Sequence, residues 1–168
     1  MNNYKLIYIL FLFPICLFAQ IKPTKYTLQK IVKNSVVEMK NGKLSLPSNK
    51  SWEFNNIDSL YFKKDTLNAF VCKKGTKHKS LCEVVDWTFY RKNALIFGQS
   101  SNCKEPPTRK VSRNPEDYYT ITIYTVENET MIDVLRFDKM IVESFIVIEV
   151  SETEDYTEIK LVRRFNGN

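Results

Sequence analysis

The sequence predicts an all-β fold: an antiparallel meander closing into a barrel of about eight strands, preceded by a hairpin or a short helix. Three observations carry that expectation. Glycine is scarce, at four residues, while Val, Ile, Thr, Tyr and Phe are plentiful, a composition that suits pleated, half-buried strands. From about residue 51 onward, short apolar runs of period two alternate with polar turns. Many antiparallel strands at even spacing leave exposed edges unless the sheet closes on itself.

The N-terminus, MNNYKLIYILFLFPICLFAQ, reads as a secretory signal peptide. Lys5 supplies the positive start, Leu6 to Phe18 is an uncharged apolar run, and Ala19 is the small residue before a cut at Gln20. The run is shorter than the roughly 20 residues of a membrane span. A retained anchor would stand without a second apolar segment to support it. A lipid-modified Cys16 would need a small residue before it, and Ile15 is bulky. The expected organisation is residues 1–19 as signal peptide, 20–50 as an extension with a hairpin, and 51–168 as the barrel. The expected location is periplasmic or secreted.

In chain order, Pro23 and Thr24 can open a short helix over 22–34, with Leu28, Ile31 and Val32 on one side. Asn41-Gly42 fits a two-residue turn that needs positive φ, and places Met39 opposite Leu44 and Val37 opposite Leu46. The expected strands are then Trp52–Phe54, Ser59–Lys63, Ala69–Cys72, Leu81–Tyr90, Ala94–Gly98, Tyr118–Val126, Met131–Phe137, Lys139–Val150 and Thr157–Arg164. Val85, Trp87 and Phe89 share one face of their strand. Tyr119, Ile121 and Ile123 share one face of theirs, with Tyr124 on the other. Residues Gln99–Asp117, with three prolines, read as the longest irregular stretch.

The formal net charge is +6, and falls to +5 when Lys5 leaves with the signal peptide. The lysines are dispersed, which serves solubility. A nucleic-acid module would show a focused basic face with interleaved aromatics, so no nucleic-acid partner is expected.

From Trp52 to Arg164 the chain resembles the lipocalin-like proteins exported by bacteria. Ser51-Trp52-Glu53-Phe54 heads the strand series, Val85-Asp86-Trp87-Thr88-Phe89 lies at its centre, and Thr157-Glu158-Ile159-Lys160-Leu161-Val162-Arg163-Arg164 closes it. The resemblance implies that Trp52 closes one barrel end with Arg163 or Arg164 packed over its ring, a contact with a cation–π rationale. The chain departs from the pattern at Lys50, where lipocalins usually carry glycine.

Candidate chemistry is sparse. An exported chain permits disulfides, and the mature part has Cys72, Cys82 and Cys103. If the strand Leu81–Tyr90 lies between Ala69–Cys72 and Ala94–Gly98, all three sulfurs gather at one end of the sheet. Cys82 is then the shared partner, with Cys103 preferred and Cys72 as the alternative. His78 is the one histidine, set among lysines in Lys74–Lys79. The Cys/His spacings do not match the short pairs of a zinc site, so no metal and no cofactor is expected. No nucleophile elbow or phosphate-cradling loop is present in the sequence. Asp58, Asp65, Glu83 and Asp86 are carboxylates that strands can bring together, but Glu83 and Asp86 read first as solvent-facing or cross-strand paired groups.

Trp87, Phe89, Tyr119 and Tyr124 serve equally as core or as the lining of a ligand pocket. The expected function is non-enzymatic: an exported β-barrel binding a small apolar or amphipathic ligand. The alternative is an envelope or secreted protein-interaction module, an inhibitor or accessory protein, with a filled core. An internal apolar cavity separates the first from the second, which would instead show a packed interior and an exposed apolar patch. Clustered, unpartnered carboxylates would mark an enzyme.

Overall fold

A computed structural model describes residues 20–21, 23–40, 43–44, 49–73, 81–111 and 118–164. The signal-peptide reading, Leu46, the Asn41-Gly42 turn and His78 lie outside these residues. Among those described, the chain opens with β1 (Gln20–Ile21) and helix α1 (Lys25–Ser35). Thr24 caps α1, its hydroxyl accepting from the Thr27 N–H at 3.1 Å. Leu28 and Val32, one turn apart on a single face, are buried in the core. The small hairpin β2 (Met39–Lys40) and β3 (Lys43–Leu44) pairs Met39 with Leu44, as the turn chemistry predicts.

The remaining strands are β4 (Trp52–Asn55), β5 (Thr66–Cys72), β6 (Glu83–Arg91), β7 (Ala94–Ser101), β8 (Thr108–Val111), β9 (Tyr118–Val126), β10 (Glu129–Leu135), β11 (Ile141–Glu152) and β12 (Tyr156–Arg163). Eight of them close into an antiparallel barrel, in the ring order β4-β5-β12-β11-β10-β9-β7-β6 and back to β4. Strand β1 adds to β11, and β8 pairs with the end of β7 that β9 leaves uncovered.

From β6 onward the barrel strands follow one another around the wall, but the first two exchange places. Strand β4 lies between β5 and β6, antiparallel to both, so β5 and β6 run parallel to each other. The expected neighbour of β6, the strand Ala69–Cys72, is therefore one place removed. Trp52 pairs with both Val71 and Trp87, which puts Cys72 level with the far end of β6 and about 20 Å along the wall from Cys82. The three sulfurs do not gather. Cys72 is at one end, and Cys82 bonds Cys103 at the other, with Cα atoms 5.0 Å apart.

Two further expectations are corrected. Residues Ser59–Lys63 are not a strand: a 3-10 turn (Ile57–Ser59) leads into the single-turn helix α2 (Leu60–Lys63). The cause is local. Asn55 and Asn56 turn their side-chain carbonyls on the N–H groups of Ile57 and Tyr61, and Asp58 and Ser59 adopt left-handed φ of 53° and 63°. The stretch Gln99–Asp117 is not wholly irregular either, since β8 forms within it where the edge of β7 offers free pairing groups.

The interior is solid. Trp52, Phe54, Trp87, Phe89, Phe145, Ile132, Ile159 and Leu161 are fully buried in one cluster. Trp52 stacks on Trp87 at 6.0 Å between ring centroids, and Phe54, Phe97 and Phe145 pack around Trp87 within 5.7 Å. Helix α1 closes one end, where the Trp52 indole N–H donates to Ser35 Oγ at 2.9 Å. The single turn α2 closes the other with Tyr61, which is fully buried.

Candidate interaction surface

The residues singled out in the sequence do not form one pocket. Trp87 and Phe89 point into the filled core, and Tyr119 packs against it. Tyr124 is on the opposite face of β9, beside Asp133 and Ser144, where burial first and then hydrogen bonding to Asp133 raise its pKa. None of the four lines the cleft beneath α1 or the groove at the α2 end. Trp52 and Arg163 do not meet. Trp52 is level with Val71, which pairs with Thr157, and Arg163 lies six residues further along β12, about 20 Å away.

Arg163 instead belongs to the α2 end. Its guanidinium carbon sits 5.4 Å from the Tyr61 ring centroid and 5.2 Å from that of Phe145. It donates to Glu143 and, at 2.7 Å, to the Tyr61 carbonyl. The Tyr61 hydroxyl donates to Glu143 at 2.6 Å and accepts from the Trp87 indole at 3.2 Å. Burial, followed by the Glu143 charge, holds the Tyr61 pKa well above its ordinary 10.0. This network locks the plug into the barrel, and all its polar groups are occupied with one another except Arg163 Nε.

A second buried charge lies on the outer face of β6. Asp86, read from the sequence as solvent-facing or paired across strands, is buried and paired: it accepts from Thr88 Oγ1 at 2.9 Å and from Arg109 of β8 at 2.8 Å. Ser51 extends the chain to Thr88 at 2.6 Å. Gly98 makes this possible: a Cβ there would stand 2.5 Å from Asp86 Oδ1 and 2.8 Å from Arg109. The Cys82–Cys103 bond ties the same β7–β8 hairpin to the start of β6. Glu83, at that start, pairs with Ser101 and is part-exposed. These groups hold the wall together and present no open carboxylate pair for acid–base work. Among the described residues, no group of three or more His, Cys, Asp or Glu side chains could hold a metal ion.

What the α2 end does present is apolar surface. The turn between β10 and β11 carries Phe137 and Met140, each 60% exposed, followed by Ile141 at 51% and Val142 at 44%. Phe62, on α2 beside it, is 56% exposed. The register between β10 and β11 slips by one residue after Val134, so Val142 is extra in its strand. Ile141 and Val142 consequently both line a shallow groove of about 370 Å³ with Phe62, rimmed by Lys64, Arg163 and Arg164. The turn is internally tied: Arg136 N–H donates to the Met140 carbonyl, Lys139 N–H to the Arg136 carbonyl and Met140 N–H to Asp138 Oδ1, all at 2.9–3.0 Å. Arg136 pairs with Asp138, which holds the Asp138 pKa below the usual carboxylate value.

At the α1 end a cleft of about 560 Å³ separates the helix from the barrel rim. Ile31 and Val71 contribute its apolar side, Lys30, Lys50 and Lys73 its charge, and Cys72 is also among its lining residues. Lys73 is bound to Glu152 at 2.7 Å.

The apolar end had a partial signature in the sequence. Phe137 and Met140 fall within the expected strands Met131–Phe137 and Lys139–Val150, but the strands stop at Leu135 and resume at Ile141, and the turn between them places both residues beyond the wall. No family model, curated protein or solved structure matches this chain.

Proposed function

We propose that this chain is an exported, non-enzymatic interaction module that works through its α2 end, with the barrel as a rigid support. The observation that carries this reading is the pairing of a packed interior with an exposed apolar group, Phe62, Phe137, Met140, Ile141 and Val142, concentrated at one end. Large contiguous apolar patches, beyond a few hundred Å², are uncommon on monomeric proteins and mark interaction sites. The filled core supports the interaction alternative over a carrier that holds its ligand in the lumen. The Cys82–Cys103 pair supports an oxidising compartment. Of the likeness to lipocalins, only the closed eight-stranded wall enters this reading. A small amphipathic ligand remains a second reading, and the cleft beneath α1 is the place for it.

Cell fractionation tests the first reading. The native protein is expected in the envelope-associated fraction, and the triple variant Phe137→Ser, Met140→Ser, Ile141→Ser in the freely soluble exported fraction, with an unchanged circular dichroism spectrum. Equal distribution of the two folded proteins would refute docking through this end. Native mass spectrometry of the purified protein addresses the second reading: a stoichiometric small molecule lost on Lys30→Glu would support the cleft.

A further inference from the structure

Resting on the docking reading, we infer that the surface contacted by the α2 end is an anionic phospholipid bilayer, into whose headgroup region the β10–β11 turn inserts. Four features of the turn point to lipid rather than to a protein groove. Phe137 and Met140 stand on the apex of a hairpin turn at the barrel rim, each exposed over more than half its surface. A projecting apex offers little flat area to a protein partner, whereas a bilayer can surround it. Insertion into a poorly hydrated layer also favours backbone N–H groups that have partners within the protein, and three in the turn, those of Arg136, Lys139 and Met140, have them.

Charge supplies the other two features. Arg136 and Asp138 neutralise each other within the turn, as do Arg163 and Glu143 behind it. The other charges along the groove are Lys64 and Arg164 against Asp65, and Lys139 stands in the turn itself, an excess of positive charge. Basic side chains at Lys64 and Arg164 behind an apolar apex, with Lys139 on its flank, match a bilayer approached from water, with anionic headgroups outside and acyl chains within. The ion pair in the turn limits the depth, because a charged pair is costly to carry into hydrocarbon. The contact is therefore interfacial. Phe62, Ile141 and Val142 lie along the same groove and would enter the headgroup layer behind the apex.

Vesicle flotation with the full exported protein tests this. It should float with vesicles of phosphatidylethanolamine and phosphatidylglycerol, and partition more weakly, by roughly tenfold, into phosphatidylcholine alone or at high salt. The triple variant should lose binding by roughly tenfold or more. A Phe137→Trp variant should show a blue-shifted emission component that lipids brominated near the headgroup quench. Three outcomes would overturn the proposal: no flotation of the native protein, flotation unaffected by the triple substitution, or emission of the Phe137→Trp variant untouched by brominated lipid. If flotation fails while the triple substitution still releases the protein from the envelope fraction, docking through this end stands and its partner is a protein. If the substitution changes neither, both readings fall.

Discussion

Tyr61 shows how one side chain can close a barrel. Its ring fills the end of the core against Phe54 and Phe97, its hydroxyl bridges Glu143 and the Trp87 indole, and Arg163 lies across its face. Tyr61→Phe keeps the ring and removes the bridge, leaving the buried indole N–H without its acceptor. The expected loss is about 1–3 kcal/mol, the usual cost of a buried unsatisfied polar group, read from a urea midpoint. The pH dependence gives a second reading. The folded state holds the Tyr61 pKa above its unfolded value of 10.0, so the neutral phenol is the form the fold favours. That contribution is complete below pH 10.0 and is lost as pH rises through the raised folded value. The native protein should therefore lose stability more steeply than Tyr61→Phe above pH 10.0, and identical slopes would show that Tyr61 does not carry the effect. Neither the plug nor its partners were legible in the sequence, because residues 61, 87, 143 and 163 meet only after the wall closes. The same holds for Asp86, whose burial depends on Arg109 crossing over Gly98.

Among the elements, the β7–β8 hairpin carries a covalent tie. Beyond Ile96, where β9 stops pairing, β7 stays on β6 through Ser101 and has β8 on its other side from Gly98 onward. The Cys82–Cys103 bond closes a sequence separation of 21 residues and returns the hairpin to β6. Chain entropy assigns such a loop about 3 kcal/mol of stabilisation. The double variant Cys82→Ser, Cys103→Ser is expected to lose a comparable amount in denaturant titration. Non-reducing peptide mapping of the native protein should recover the Cys82–Cys103 peptide. A Cys72–Cys82 peptide would contradict the ring order, since β4 stands between their strands. The preference for Cys103 was legible in the sequence, resting on the hairpin of residues 81–99. The placement of Cys72 was not, because alternation identifies strands without saying which neighbour each takes.

On the scale of the whole molecule, the barrel has two dissimilar ends. Helix α1 covers one, and the chain's first described strand, β1, lies there, with Gln20 paired to Ser151 and Ile21 to Val150. The other end carries the α2 plug, the disulfide and the apolar turn. This asymmetry bears on processing. Cleavage after Ala19 would leave both residues of β1 in the mature chain, where they cover part of the outer edge of β11. N-terminal sequencing of the exported protein is expected to begin at Gln20; a start beyond Ile21 would show that β1 is dispensable.

Some of this architecture is written in the order of residues alone. Period-two alternation specifies strands because side chains leave a pleated backbone on alternate faces. The Leu28 and Val32 spacing specifies one buried side of α1, and Asn-Gly specifies the pairing of Met39 with Leu44, because these depend on neighbours within a few residues. Tertiary structure decided what local pattern cannot encode: the exchange of β4 and β5 in the ring, the filling of the lumen by Trp52, Trp87 and Tyr61, and the seat of Arg163 on Tyr61 and Phe145. It also decided that Phe137, Met140, Ile141 and Val142 stand exposed. An apolar side chain has the same local signature whether a distant strand covers it or none does, and burial is settled only when the remote parts of the chain take their places.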